Sequence, residues 1–174
     1  LRKAIFFDRD GVLNEAIVKN GKPFSPSSLK QLTINKYAKK IIDYFKNRNF
    51  VCIVVTNQPE VGRGSIKKRI VERINFEMKK KLNFHDIFTC YHRNDLNFNK
   101  KPNPGMIIEA KIKWNLDLRR SYIVGDRYKD ILAGLNAGLK TIYLFNDYKK
   151  DKIPKFYHHK VSSLKEVVRK VRYD

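Results

Sequence analysis

The sequence predicts a three-layer α/β/α fold, Rossmann-like, in which helices cover both faces of a mostly parallel sheet. Short apolar runs rich in β-branched and aromatic residues alternate with helical patterns along the whole chain. The runs are almost continuously apolar, as in strands that are buried on both faces. Hydrophobic residues form 42% of the 174 residues, which is enough for a packed core without disulfides.

Five segments have strand character, and each is followed by polar or glycine residues. They are 4–7, 51–55, 87–91, 122–124 and 141–145. None of them alternates strictly between apolar and polar residues, so we expect them in the interior of the sheet.

Apolar residues at helical spacing predict five helices between and after these strands. The helical segments are 37–45, 66–78, 104–114, 128–135 and 164–171. Ser65 is the expected cap of the second helix, and Asn103 followed by Pro104 the expected start of the third. Tyr128, Ile131, Leu132 and Leu135 form the expected core-facing stripe of the fourth, which Gly138 should end.

The chain is expected to form one domain, 1–174, without a large cap domain. The spans between Asp10 and Thr56 and between Thr56 and Lys101 are largely used by the predicted helices and strands. The segment 19–28, which contains two prolines, is predicted to be a loop. Together with 93–100 it should line a fairly open site.

Charge and cysteine content restrict the class of protein. The 38 Lys and Arg residues against 17 Asp and Glu give a net charge of +21, which attracts anions of any kind. The lysines are scattered rather than clustered, which favours compositional drift over a dedicated nucleic-acid surface. The two cysteines do not form a disulfide framework. No apolar run approaches the ~20 residues of a membrane span, and no secretory leader is recognised, so we expect a cytoplasmic protein. We also expect it to be a monomer.

Polar clusters follow two of the predicted strands in the first half of the chain. Asp8 and Asp10 come directly after the first strand, and two close carboxylates favour a divalent cation or a division of labour between nucleophile and proton carrier. Thr56, Asn57 and Gln58 end the second strand and could hold phosphate oxygens without adding charge. Taken singly, each cluster is equally compatible with an ordinary turn.

Two further clusters lie in the second half. Lys100 and Lys101 precede a proline-stiffened turn, where a lysine is a fixed positive charge. Asp126, Arg127 and Asp130 follow the strand 122–124, and carboxylates suit Mg²⁺. Taken singly, the two lysines could be ordinary surface residues, and Asp130 could be an acid that interacts with the dipole of a helix N-terminus. Because all four clusters follow predicted strands, together they favour phosphoryl transfer to an aspartate.

The chain resembles the haloacid dehalogenase-like phosphatases in four motifs that occur in the family's order. The motifs are Asp8-Arg9-Asp10-Gly11, Thr56-Asn57-Gln58, Lys100-Lys101-Pro102-Asn103-Pro104-Gly105-Met106 and Gly125-Asp126-Arg127-Tyr128-Lys129-Asp130. Within that family, the residues of these motifs are most similar to those of the groups that act on heptose bisphosphate and histidinol phosphate.

The resemblance implies a role for each motif. Asp8 would be the nucleophile that forms an aspartyl-phosphate, and Asp10 would protonate the leaving group and then activate water. Thr56 and Lys101 would stabilise the transferring phosphoryl group. The implied metal ligands are Asp8, Asp10 (through its backbone carbonyl), Asp126 and Asp130. The residues implied to bind substrate are Asn57, Gln58, Lys100 and Arg127.

The resemblance also bears on cofactors and on substrate. Members of the heptose group often carry a zinc loop, of which Cys90 and His92 match one pair while Asn97 and Asn99 replace the other. Two ligands cannot close a structural site, so Mg²⁺ is expected and zinc is not. The leading hypothesis is a phosphatase for a small sugar phosphate, D-glycero-D-manno-heptose 1,7-bisphosphate, losing its 7-phosphate in cell-envelope carbohydrate synthesis. Histidinol phosphate, 3′-phosphorylated DNA ends and a non-enzymatic scaffold are the alternatives, and nucleic acid is the less expected partner.

Overall fold

A computed structural model describes residues 1–173, and it confirms the predicted parallel sheet. Six strands pair in the order β5-β4-β1-β6-β7-β8, and each pairing is parallel. Two further strands form a separate antiparallel hairpin. The bounds are β1 Ala4–Phe7, β2 Ile17–Lys19, β3 Lys22–Phe24, β4 Val51–Asn57, β5 Asp86–Cys90, β6 Tyr122–Gly125, β7 Lys140–Leu144 and β8 His159–Val161.

The described part of the chain has five α-helices, and their ends differ in places from the sequence-based expectation. They are α1 Ala38–Lys46, α2 Pro59–Gly62, α3 Lys68–Leu82, α4 Gly105–Trp114 and α5 Tyr128–Ala137. Ser65 does not cap α3; its hydroxyl donates to the Glu60 carbonyl and closes the turn after α2. Pro104 takes the cap position of α4, one residue later than expected. The last predicted helix is a short 3₁₀ helix, Leu164–Arg169.

The prediction of a loop over 19–28 was wrong, because β2 and β3 form a hairpin there. Asn20 and Gly21 make its two-residue turn with φ values of 52° and 75°. Positive φ at both positions is the geometry that joins twisted antiparallel strands tightly, and Asn-Gly is its commonest sequence. Pro23 made the second strand look like a loop in the sequence. It is tolerated because both strands of a two-stranded ribbon are edge strands, where a missing backbone N–H is acceptable.

The sheet is covered on both faces, as predicted. Ile5 and Phe7 point into the core formed with α1 and α3, whereas Ala4 and Phe6 point into the core formed with α4. This alternation of side chains along a strand explains why the apolar runs are continuous: both faces are buried.

Helix α5 packs on the sheet through a narrower face than its sequence predicts. Ile131, Ala133 and Gly134 are buried, whereas Tyr128, Leu132 and Leu135 line a surface groove. The small residues allow the helix to approach the sheet closely, and this rotates the larger side chains outward. Within residues 1–173, none of the helices is long and apolar enough to cross a membrane.

The strand order places a crevice at the carboxyl end of β1. The chain moves from β1 to β4 on one side and later returns to β6 on the other. The connections therefore diverge at this point, which is where open α/β sheets bind ligands.

Neither cysteine should react readily in the native protein. Burial raises the pKa of Cys52 to about 12 and also raises the pKa of Cys90, while the thiolate is the reactive form. We expect Ellman's reagent at pH 8 to label the native protein at least roughly 10²-fold more slowly than the unfolded chain. Rapid native labelling of either thiol would contradict its burial.

Candidate active site

Carboxylate and ammonium groups from the segments that follow β1, β5 and β6 meet in the crevice. Lys101 Nζ lies 2.7 Å from Asp8 Oδ1, 2.6 Å from Asp130 Oδ1 and 2.8 Å from the Val55 carbonyl oxygen. Burial alone would lower the pKa of Lys101, but Asp130 and Asp8 raise it, so the amine stays charged. The structure therefore brings together Asp8, Lys101 and Asp130, which come from three of the four motifs.

Asp8, Asp126 and Asp130 form an acidic cluster in which one carboxylate oxygen of each lies within 4.8 Å of the others. Burial, followed by the charge of Asp130, raises the pKa of Asp8 to about 7 even though Lys101 acts in the opposite direction. Burial and the charge of Asp8 likewise raise the pKa of Asp126. One ammonium group does not balance three carboxylates, so the cluster is short of positive charge.

The cluster fits a hard divalent cation. Asp126 Oδ1 is buried and has no hydrogen-bond partner among residues 1–173, although buried polar atoms are nearly always satisfied. Carboxylate oxygens at this spacing are the ligands that Mg²⁺ takes in proteins. The unpartnered oxygen and the uncompensated charge both indicate where the cation would lie.

The Asp10 side chain lies outside this cluster and is fixed by four donors. Arg9 donates through Nε and Nη2, each at 3.1 Å, while Gln58, Ser25 and Asn14 donate at 2.7, 2.8 and 3.0 Å. Burial would raise the pKa of Asp10, but Arg9 and these hydrogen bonds hold it below its usual value. The side chain is thus held at the mouth of the crevice, beside rather than within the acidic cluster.

Arg9 was missed as a site residue in the sequence-based prediction. It is fully buried, and its Nη1 donates to Asn75 Oδ1 at 2.7 Å. Asn75 in turn donates to the Thr89 hydroxyl at 3.1 Å. An arginine between two aspartates at the end of a buried strand was the available signal, because a charge in that position must be paired.

The structure places the two amides that were predicted to bind substrate, Asn57 and Gln58, against protein groups. Gln58 is fully buried and donates to Asp10 and to the Thr56 hydroxyl. Asn57 lies at the cavity, but its amide bonds the backbone N–H and carbonyl of Lys101 at 3.0 and 2.9 Å. Asn57 thus holds the backbone of Lys101, and the Gln58 Nε2 group holds the Asp10 side chain.

Lys100 and Arg127 are paired with acids rather than free for a substrate. Lys100 Nζ lies 2.8 Å from Asp95 and donates to the Arg93 carbonyl. The Arg127 guanidinium donates two hydrogen bonds, of 2.8 and 3.0 Å, to the Asp151 carboxylate. The predicted free cation at position 100 is therefore largely neutralised.

A small cavity of about 70 Å³ lies over these groups and opens into a wider groove. Pro23, Phe24 and Ser25 of the hairpin region line the cavity, as expected for the segment 19–28. The groove is rich in cations. It is lined by Lys22, Arg63, Arg93, Lys100, Arg127 and Lys129, against Glu60 and Asp95.

The segment that resembles a zinc loop is held by hydrogen bonds. Cys90 Sγ lies 3.8 Å from Asn97 Oδ1, which also accepts from the Asn99 backbone N–H. His92 is exposed. Within residues 1–173, the acidic cluster alone has metal-ligand spacing; the expectation of no zinc stays a prediction.

Comparisons with known proteins agree with the four motifs. A family model described as HAD-hydrolase-like matches residues 99–165. The chain is 31% identical over 166 residues to a D-glycero-alpha-D-manno-heptose-1,7-bisphosphate 7-phosphatase of Campylobacter jejuni, covering 86% of each chain. It is 30% identical over 146 residues to a D-glycero-beta-D-manno-heptose-1,7-bisphosphate 7-phosphatase of Helicobacter pylori, covering 80% of each.

A solved structure shows the same fold. The D,D-heptose 1,7-bisphosphate phosphatase of B. bronchiseptica, complexed with magnesium and phosphate, superposes with a TM-score of 0.81 at 23% identity over 97% of both chains. With the relatives above, this similarity extends over nearly the whole length of the sequence. The chain therefore belongs to the HAD-like phosphatases, the family that its four strand-end motifs resemble.

Proposed function

We propose that the protein is a Mg²⁺-dependent phosphomonoester hydrolase that removes the 7-phosphate of D-glycero-D-manno-heptose 1,7-bisphosphate through an aspartyl-phosphate on Asp8. The observation that supports this most is the convergence of Asp8, Lys101 and Asp126 at one end of the sheet, with Asp10 fixed beside them. The names of the relatives support the choice of substrate.

The first step is attack by the Asp8 carboxylate on the phosphorus atom. A bond forms from an Asp8 oxygen to phosphorus as the bond to the sugar oxygen breaks. Lys101 faces the oxygens of the transferring group and stabilises the negative charge that they carry. The Asn57 amide supports this by holding the backbone of Lys101.

Asp10 carries the proton in both steps. It gives a proton to the departing sugar oxygen, and the negative phosphate nearby favours its protonated form when substrate is bound. It then takes a proton from the water that attacks the aspartyl-phosphate and releases inorganic phosphate. Gln58 and Ser25 keep its carboxylate aimed at the cavity.

Asp8, Asp126 and the Asp10 backbone carbonyl would hold the Mg²⁺. Asp130 is engaged by Lys101 and by the Arg127 backbone N–H at 3.0 Å, so it supports the site from behind. When bound, the cation would supply positive charge between Asp8 and the incoming phosphate, two groups that otherwise repel each other.

The cationic groove next to the cavity favours a substrate with a second anionic group. Arg63 and Lys129 each lie near an acid, but six cations line the groove against Glu60 and Asp95, so net positive charge remains for the remote phosphate of a bisphosphate. Histidinol phosphate has no such group. The net charge of +21 also favours a polyanion such as a 3′-phosphorylated DNA end, which is the second candidate.

A phosphate-release screen tests the proposal. With Mg²⁺ present, we expect kcat/KM for the heptose bisphosphate to exceed that for histidinol phosphate by at least about tenfold, a difference of ~1.4 kcal/mol. The same assay without Mg²⁺ and with EDTA is the control. Faster release from a 3′-phosphorylated oligonucleotide, with binding that falls steeply with salt, would contradict the proposal and support the DNA-end alternative.

A further inference from the structure

The segment 146–151, here called the 146–151 loop, follows β7 and lies against the ends of β1 and β6. Asn146 Nδ2 donates to the Gly11 carbonyl at 2.8 Å, and the Tyr148 hydroxyl donates to Asp126 Oδ2 at 2.6 Å. Neither residue belongs to the four family motifs. The loop therefore adds two donors to the site that the motifs do not contain.

The two oxygens of Asp126 have opposite surroundings. Oδ2 accepts from Tyr148 at 2.6 Å and from Asn146 Nδ2 at 3.3 Å. Oδ1 is buried in a residue that is 1% exposed, and it has no hydrogen-bond partner within residues 1–173. The loop thus satisfies one oxygen of Asp126, a member of the acidic cluster, and leaves the other unpartnered.

The packing around Gly11 shows how closely these groups approach each other. Gly11 has a φ of 88°, and a Cβ atom there would lie 1.9 Å from Asp126 Oδ2 and 2.6 Å from the Tyr148 hydroxyl oxygen. Only glycine fits at this point. The Tyr148 hydroxyl therefore packs against the backbone of Gly11, which follows β1, as well as against the Asp126 carboxylate.

The loop is fixed on both sides of Tyr148. The Lys150 backbone N–H donates to the Gly21 carbonyl at the tip of the hairpin, at 3.1 Å. Asp151 is held by the two hydrogen bonds from Arg127. Together with the hydrogen bond from Asn146 to Gly11, these contacts fix the position of Tyr148 beside Asp126.

We infer that Tyr148, assisted by Asn146, is a positioning residue that holds Asp126 so that its free oxygen faces the divalent cation. This inference rests on the proposed Mg²⁺-dependent function. A carboxylate fixed by neighbouring donors does not have to be ordered when the metal binds, and such partners strengthen binding. Tyr148 is not among the residues that line the cavity over Asp8, so we expect it to act on the affinity for metal rather than on the chemical step.

Direct titration of the full-length protein with Mg²⁺ tests the inference without relying on activity. We expect Tyr148→Phe to weaken Mg²⁺ binding by about tenfold, which is the low end of the effect of such partners. Tyr157→Phe is the matched control, because its ring packs on Tyr143 and its hydroxyl makes no hydrogen bond within residues 1–173. Asn146→Ala should also weaken binding, because it removes the 3.3 Å contact with Asp126 and the hydrogen bonds to the Gly11 carbonyl and the Tyr148 hydroxyl that hold the loop.

Kinetics provides a second readout. The Mg²⁺ concentration for half-maximal phosphate release should rise in Tyr148→Phe by the same factor as the dissociation constant. Activity should recover at saturating Mg²⁺. Failure to recover would mean that the tyrosine acts on the chemical step, and this would overturn the positioning role.

The outcomes separate this inference from the proposed function. Equal Mg²⁺ affinity in Tyr148→Phe and the wild type would overturn the inference alone. Normal Mg²⁺ binding by the wild type without hydrolysis of the heptose bisphosphate would overturn the proposed substrate and leave the comparison of affinities intact. A wild type that does not bind Mg²⁺ would overturn both.

Discussion

Replacing Asp8 by Asn should abolish phosphate release and leave the fold intact. Without the carboxylate the aspartyl-phosphate cannot form, so the variant should lose most of the acceleration of at least ~10⁶-fold that enzymes provide. Asn keeps the volume of the side chain, and its oxygen can still accept from Lys101. Phosphate release and the thermal unfolding midpoint are the measurements.

The same change should not destabilise the protein in the absence of metal. Asp8, Asp126 and Asp130 crowd three carboxylates around one lysine, and removing one of them lowers the repulsion. We therefore expect an unfolding midpoint equal to or above that of the wild type. Asp43→Asn is the matched control, since the side chain of Asp43 is 43% exposed and pairs with Lys39 on α1. A rate close to normal in Asp8→Asn would refute its assignment as nucleophile.

The convergence of Asp8, Lys101, Asp126 and Asp130 was predictable from sequence. Each follows a buried strand or the turn after it, and the carboxyl ends of parallel strands lie at one edge of the sheet. Strand identity and order along the chain are therefore enough to bring these groups together. Their charges indicated a metal and an anion before any distance was known.

The supporting contacts could not be predicted in the same way. Gln58 and Asn57 were recognised by type, but whether an amide turns toward a ligand or toward the protein depends on side-chain rotamers. Tyr148 and Ser25 come from loops whose path depends on contacts with distant segments. Periodicity describes which face of an element is buried and carries no information about where a loop returns.

Arg9 is the other residue for which a large effect is expected, this time on stability. Arg9→Met keeps the bulk of the side chain but leaves Asp10 without its guanidinium partner and Asn75 Oδ1 without its donor. Breaking a buried ion pair from one side costs about 3–5 kcal/mol. We expect a loss of that size in the free energy of unfolding, measured by urea denaturation.

The control is an ion pair of the same kind at the surface. Lys39→Met breaks the exposed pair with Asp43 and should cost less than about 1 kcal/mol. A loss for Arg9→Met as small as this would mean that water reaches Asp10 in the variant and replaces the arginine. The comparison therefore measures how well the crevice excludes solvent.

A double variant separates the worth of the pair from the cost of breaking it. If the loss in Arg9→Met comes from an uncompensated carboxylate, then adding Asp10→Asn should restore part of the stability, because the neutral amide needs less solvation. If the loss comes from the cavity or from Asn75, the second substitution should not help. Because the double variant also lacks the carboxylate proposed to carry the proton, it is used to measure stability alone. The role of Arg9 in the site is tested instead by phosphate release from folded Arg9→Met, which we expect to fall because an apolar side chain fills the core but donates no hydrogen bond to Asp10.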